Sequence, residues 1–325
     1  MADVKEQGID TPQQSRNPRK RKSKREIRQT AKGIQAVIAI VISIVIAILA
    51  GMSSSPVFTL NRRLFNYALV RKVWFGDLPA TATAASQADI KRWFGMGSPE
   101  DKAAFDNTCI SSFRDALISI GPDAYPLPPL NASGNSTYAA ELAHAPQIAA
   151  PFVEELDAAA ANASDIRGGE EARADTALGL VLLLDQMSRN IFRADQKLIY
   201  THYDRISRSL VRHVLAASPR ADLHPKYRAA PVFRLWFYMP LLHSEFPEDH
   251  RKYMEIVEEL VAELERGGDA EAVQYARYSL DPGHKNVIDR FGRYPHRNEA
   301  LGRTTTKEEQ EWLDAGGSYY GSNKK

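Results

Sequence analysis

Residues 176–193 read TALGLVLLLDQMSRNIFR, and this stretch decides the fold class. Up to Leu184 it is apolar on nearly all sides, which is what the central helix of a helical bundle requires. At Asp185 the same helix turns polar. Asp185, Arg189 and Arg193 stand four apart and share one face, so Asp185 is expected to pair with Arg189 while the two arginines repel by about a few tenths of a kcal/mol. An acidic side chain from another element is needed to relieve that repulsion. Asn190 lies between them.

Outward from this helix the pattern stays helical. Upstream, Leu60, Leu64, Ala68 and Val70 to Phe75 recur at helical spacing until Gly76 to Pro79 stop them. Ser98 followed by Pro99, Glu100 and Asp101 is a helix start, with a capping hydroxyl, proline in the first turn and acids beside the positive helix end. Phe105, Cys109, Phe113 and Leu117 then line one face. Residues 121–137 are rich in Pro, Gly, Asn and Ser and read as an inserted loop. Downstream, helices are expected over 195–217, 226–242, 247–266, 270–280 and 307–315, with Gly267 and Gly268 closing the third of these. Alternation at period two is missing, so an all-α domain of about eight to ten helices is expected.

Two more polar stretches border apolar helices. One is His243, Ser244 and Glu245, after the apolar WFYMPLL segment. The other runs from His284 to Arg303 and carries Arg290, Arg293, His296, Arg297 and Asn298. LLLDQMSRNIFR, MPLLHSE and RFGRYPHRNEALGRTTTKEE together closely resemble the domain of unknown function 924 family, and VRKVWFGD at Val70 resembles its opening segment. That resemblance covers residues 67–317 and implies a tetratricopeptide-like all-helical fold, with no activity attached. The loop at 121–137 and the N-terminal region depart from the family pattern.

The N-terminal region carries its own signal. Residues 34–52, IQAVIAIVISIVIAILAGM, are nineteen uncharged residues with seven Ile and three Val. As a helix they span roughly 28 Å, the hydrocarbon thickness of a bilayer, and they are too long for a β-strand. The stretch is also longer than a signal-peptide core and begins late, so an uncleaved transmembrane signal anchor is expected over 33–52. Residues 1–32 hold ten Lys/Arg against four Asp/Glu and read as a basic disordered tail on the cytosolic side. The domain would then lie in a lumen or outside the cell, where glycosylation acceptors at Asn131, Asn135 and Asn162 are at home. Residues 53–66 read as a linker and 318–325 as a disordered tail.

Composition excludes several classes. With 44% hydrophobic and 25% charged residues the chain is neither wholly disordered nor a multi-span membrane protein. Its single cysteine, Cys109, excludes an intramolecular disulfide and reads as core rather than nucleophile. Phosphate-binding glycine loops, the nucleophile-elbow pattern and paired C-x-x-C are missing, so no cofactor is expected. Trp74, Trp93, Trp236 and Trp312 stand at helical positions as packing anchors, and no nucleic-acid partner is expected.

Three functional readings remain. Arg and His side chains between helices often only satisfy carboxylates and helix-end carbonyls, which gives a tethered structural scaffold. A cationic pocket for a peptide or small anionic ligand would draw on Arg189, Arg193, Arg290, Arg293, Arg297 and Arg303, with Asp185, Asn190, His243, Glu245, His284, His296 and Asn298 around it. A hydrolase would use His243, Glu245 and His296 about one reacting centre. A metal held by His243, Glu245, His284 and His296 is possible by ligand type, but no metal-binding spacing is present and none is expected.

Overall fold

The computed structural model describes residues 58–130 and 136–317. The expected basic tail, transmembrane segment, C-terminal tail and the acceptors at Asn131 and Asn135 lie outside the described residues. Asn162 is exposed, at the C-terminal end of a helix. Among the described residues the structure is all-helical, with no strand, and no helix is long and apolar enough to cross a membrane.

The first elements are α1 (Tyr67–Phe75), α2 (Gln87–Trp93) and α3 (Pro99–Ile118). Leu60 and Leu64 fall before α1, which starts at Tyr67 because the Asn66 side chain accepts from the Leu69 amide and caps it there. At Ser98 the capping signal is realised in full: its hydroxyl accepts from the Asp101 amide, and the Asp101 carboxylate accepts in return from the Ser98 amide. Cys109, Phe113 and Leu117 are buried along α3, and Phe105 packs against the same core.

Helix α4 (Tyr138–Ala161) packs on α5 (Ile166–Val181), and α5 runs on through a π-helical turn, Leu182–Met187, into α6 (Ser188–Ile191). Every residue from Thr176 to Ser188 is buried, so this stretch is the bundle's centre, as its all-round apolarity requires. The π-turn widens the helix where the sequence changes from Leu184 to Asp185.

The expected helix over 195–217 is a continuous run of three pieces: α7 (Gln196–Leu198), a second π-turn (Ile199–Tyr203) and α8 (Asp204–Ala216). The expected helix over 226–242 is not one helix. It comprises α9 (Pro225–Arg228), α10 (Pro231–Arg234), a 3-10 turn over Leu235–Tyr238 and α11 (Met239–Leu242). Pro231 and Pro240 each lack the N–H that an uninterrupted α-helix would use, so each starts a new short segment instead.

Four further α-helices follow among the described residues: α12 (Pro247–Gly267), α13 (Ala270–Tyr278), α14 (Gly283–Phe291) and α15 (Lys307–Asp314). Gly268, at φ 79°, ends α12 in the left-handed conformation. Trp74, Trp93 and Trp236 are buried edge-to-face or stacked on one another. A smaller core of Val287, Ile288 and Tyr294, with Phe291 and Trp312 against it, fixes the C-terminal segment.

Candidate functional site

The C-terminal segment folds back across α8 and α11 and leaves two chambers. The first, of about 400 Å³, is open; Arg205 and Arg208 of α8, together with Arg293, Arg297 and Arg303, line it. Three carboxylates share its wall: Glu141, Asp204 and Glu245. The second, of about 150 Å³, is bounded by Trp93, Phe94, Arg189, Asn190, Arg193, His284 and His296. Tyr200, His243 and Arg297 form a wall common to both.

Arg297 is the keystone of that wall. Its guanidinium lies over the rings of Tyr200 (4.4 Å to the centroid) and Tyr294 (4.6 Å), and one Nη donates to the His243 carbonyl at 2.9 Å. A planar cation between two aromatic faces is held in one orientation. Its nearest carboxylate oxygen, on Asp204, is 3.8 Å away, beyond hydrogen-bond length.

His243 ends α11, where Pro240 has already broken the longer helix. Its Nδ1 lies 3.0 Å from both oxygens of Asp185, which is fully buried on the π-turn beneath it. Gln186 donates to the same carboxylate at 2.6 Å, and Arg189 lies 3.5 Å from it. Burial alone would raise the Asp185 carboxyl, but His243 and then Arg189 outweigh it and hold it below the usual carboxylate range. An ionised Asp185 accepts a hydrogen bond, so Nδ1 carries the hydrogen and Nε2 is the ring nitrogen left for the chambers.

The acid that Arg189 and Arg193 needed comes from two other elements. Arg189 grips Asp204 of α8 with two nitrogens at 2.8 and 3.1 Å. Arg193 and Asn190 both bond to Asp106 of α3. The expected Asp185–Arg189 pair is therefore the longer of Arg189's two ion pairs.

Glu245 lines the first chamber but is fully engaged. Arg303 donates to it at 3.0 and 2.8 Å and the Tyr294 amide at 2.9 Å. Burial opposes its charge, yet Arg297 and Arg303 prevail and keep it below the ordinary carboxylate range. His284 and His296 open on the second chamber only, and burial drives both imidazoles down to about 3. The structure thus gathers His243 with Glu245 on one side and with His296 on the other, not all three about one centre.

Arg293 lines the first chamber while held by Glu309 at 2.6 and 2.8 Å. Asn298 is buried, 3.2 Å from the same carboxylate. Arg290 is exposed, pairs with Glu308 and borders neither chamber. Among the described residues no three His, Cys, Asp or Glu side chains are placed to share a metal ion.

Sequence reading passed over Arg205, Arg208 and Glu141. Glu141, in the first turn of α4, is 1% exposed and receives Arg205 at 2.8 Å and Arg208 at 2.6 Å. Burial works against its charge, but the two arginines hold its carboxyl below the ordinary value. The signal was present: Arg205, Arg208 and Arg212 recur at i, i+3 and i+7, so one face of α8 is cationic.

No curated protein matches the chain. A protein of unknown function from Agrobacterium tumefaciens, of solved structure, is similar to it at 24% identity, with a TM-score of 0.45; the match covers 77% of this chain and 97% of that one. The DUF924 pattern, described as bacterial protein of unknown function, matches residues 70–317, which hold the π-turn, α8, α11 and the C-terminal segment that build both chambers. The chain therefore belongs to the DUF924 family.

Proposed function

We propose that this protein is a recognition protein whose helical domain binds a small anionic ligand, or an anionic peptide group, in the first chamber. One observation carries the reading: five guanidiniums and only three carboxylates border an open space of about 400 Å³. Guanidinium forks suit carboxylate and phosphoryl oxygens. A tetratricopeptide-like scaffold belongs to the same reading, supported by the packing of sequence neighbours α4 on α5 and α12 on α13. A hydrolase built on His243, Glu245 and His296 has less support, because Glu245 is saturated and His296 opens elsewhere.

Thermal unfolding of the full-length protein in detergent tests it. Phosphate or acetate should raise the melting temperature saturably over chloride at equal ionic strength, by about 2.7 kcal/mol of stability at a hundredfold excess over Kd. Arg297→Lys keeps the charge but loses the planar fork, and should weaken the effect. Equal curves in all salts would leave only the scaffold reading.

The reading also includes a single membrane span over 34–52 with a cytosolic N-terminus and a lumenal or extracytoplasmic domain. Its support is the nineteen-residue uncharged stretch and the basic cluster before it. Glycosidase treatment of protein from native membranes should then increase its gel mobility; unchanged mobility would remove the argument from the acceptor sites.

A further inference from the structure

We infer that the second chamber binds a single flat, uncharged heterocycle with N–H donors, which it gives to the side-chain oxygens of Gln186 and Asn190. The inference is independent of the anion-binding reading, which concerns the other chamber.

The two amides lead there. Gln186 stands on the π-turn and Asn190 four residues later on α6; they are 9% and 8% exposed, and both border this chamber. Each has its NH2 end committed. Gln186 Nε2 donates to Asp185 at 2.6 Å, and Asn190 Nδ2 donates to Asp106 at 2.8 Å. Asp185 also takes His243, and Asp106 takes Arg193, so both carboxylates are acceptors and fix which way round each amide lies. The two carbonyl oxygens are left over. Neither accepts a hydrogen bond among the described residues, and neither is sealed from solvent. Two pinned acceptors on one wall call for N–H groups in the space before them.

His296 adds a third polar group from the C-terminal segment. It makes no hydrogen bond to any described residue, and its Nδ1 is buried without a partner. Burial keeps the ring uncharged, so it offers one donor and one acceptor.

Size and walls select a ring. A cavity of about 150 Å³ accommodates one benzene. Trp93, Phe94, Tyr200 and Tyr294 line the chamber and give a flat ring aromatic faces and edges to pack on.

The charges select a neutral one. Lys102, Arg189, Arg193 and Arg297 line the chamber, and among the described residues no carboxylate does, so a cation is repelled. An anion gains little in return. Arg189 already turns its nitrogens onto Asp204, and Arg193 onto Asp106, while the two amide oxygens present their negative ends. An uncharged ring with N–H donors meets neither penalty.

Ligand-observed saturation-transfer NMR on the full-length protein in detergent tests this with uracil, a flat neutral ring with an N–H at both ring nitrogens. Uracil should bind saturably. Pyrimidine, the same ring without N–H groups, should bind about tenfold more weakly or worse, because the amide oxygens stay unpaired. Barbiturate, which keeps the N–H groups but is an anion at neutral pH, should also bind more weakly than uracil. Asn190→Leu keeps the bulk and removes one acceptor, while Asp106 retains Arg193; it should weaken uracil about tenfold with a melting temperature near wild type. Should that variant fail to fold, His296→Phe, which breaks no hydrogen bond within the protein, takes its place with the same expected loss. Phosphate should not displace uracil, since the two belong to different chambers. Absence of uracil binding, pyrimidine or barbiturate binding as tightly as uracil, or displacement by phosphate overturns the inference; the salt dependence of melting judges the anion reading separately. Uridine identifies the source of the ring: binding at least as tight as uracil's assigns it to a nucleoside, and exclusion of uridine assigns it to a free heterocycle.

Discussion

Nδ1 of His243 stands 3.0 Å from each carboxylate oxygen of Asp185, and the two residues are 58 positions apart in the chain. The contact ties the central helix to the end of α11 and fixes which imidazole nitrogen faces the chambers. Asp185 is fully buried, so removing it also strips Gln186 and, in part, Arg189 of a partner. Asp185→Ala is expected to cost about 3–5 kcal/mol, as breaking a buried pair does. Asp185→Asn, which keeps one acceptor for the ring, should cost less, about 1–3 kcal/mol. Urea unfolding midpoints check both; equal stability of Asp185→Ala and wild type would show that the contact contributes nothing to the fold.

Acid should destabilise the C-terminal segment through His284 and His296. Burial lowers both from the ordinary value of 6.5 to about 3. Between those values the unfolded chain binds the protons and the folded one does not, so stability rises with pH across that window and is lost as pH falls through it. The melting temperature should drop steadily from about pH 6.5 downward. His296→Gln should flatten the dependence. A wild-type profile level between about pH 6 and 4 would contradict the burial of these rings.

How much of this was legible depended on the distance over which each arrangement is determined. The central helix shows in residues 176–184 because all-round apolarity is a local property, and the helix start at Ser98 because capping involves four neighbours. The repulsion between Arg189 and Arg193 is likewise local, and it correctly called for outside acids. Which acids, Asp204 and Asp106, depends on how α8 and α3 pack, and nothing in the intervening sequence encodes it.

The same limit hid part of the chamber. Residues 195–217 read only as a helix, and a helical pattern does not say where its arginines point. That Arg205 and Arg208 are buried follows from Glu141 of α4, 64 and 67 residues away. The breaks before α10 and before α11 were announced by Pro231 and Pro240, but the apolar run around them dominated the helical pattern.

Gly179 is where α1 crosses α5. A Cβ there would sit 2.7 Å from Cβ of Tyr67 and 3.0 Å from its carbonyl oxygen, closer than packed atoms tolerate. Alanine would gain about 1 kcal/mol of helix propensity. Forcing α1 away should cost about 1–3 kcal/mol, so Gly179→Ala is expected to be neutral to destabilising, with the core around Trp74 loosened. Near-ultraviolet circular dichroism and the unfolding midpoint check it. A clear rise in stability would mean that the two helices separate without penalty.

Cys109 offers a test of the core that needs no substitution, since it is the only thiol in the chain. It is fully buried on α3, with its sulfur 3.4 Å from that of Met187 on the π-turn. Burial, with a smaller contribution from Asp106, pushes the thiol up to about 12, so almost no thiolate exists at neutral pH. Iodoacetamide should leave the native protein unmodified and label it fully in denaturant, with mass spectrometry as the readout. The labelling rate in intermediate urea should follow global unfolding, because reaching the sulfur requires α3 to part from the central helix. Rapid labelling of the native state would place α3 among the elements that open locally and would remove Asp106 from its role as the fixed partner of Arg193.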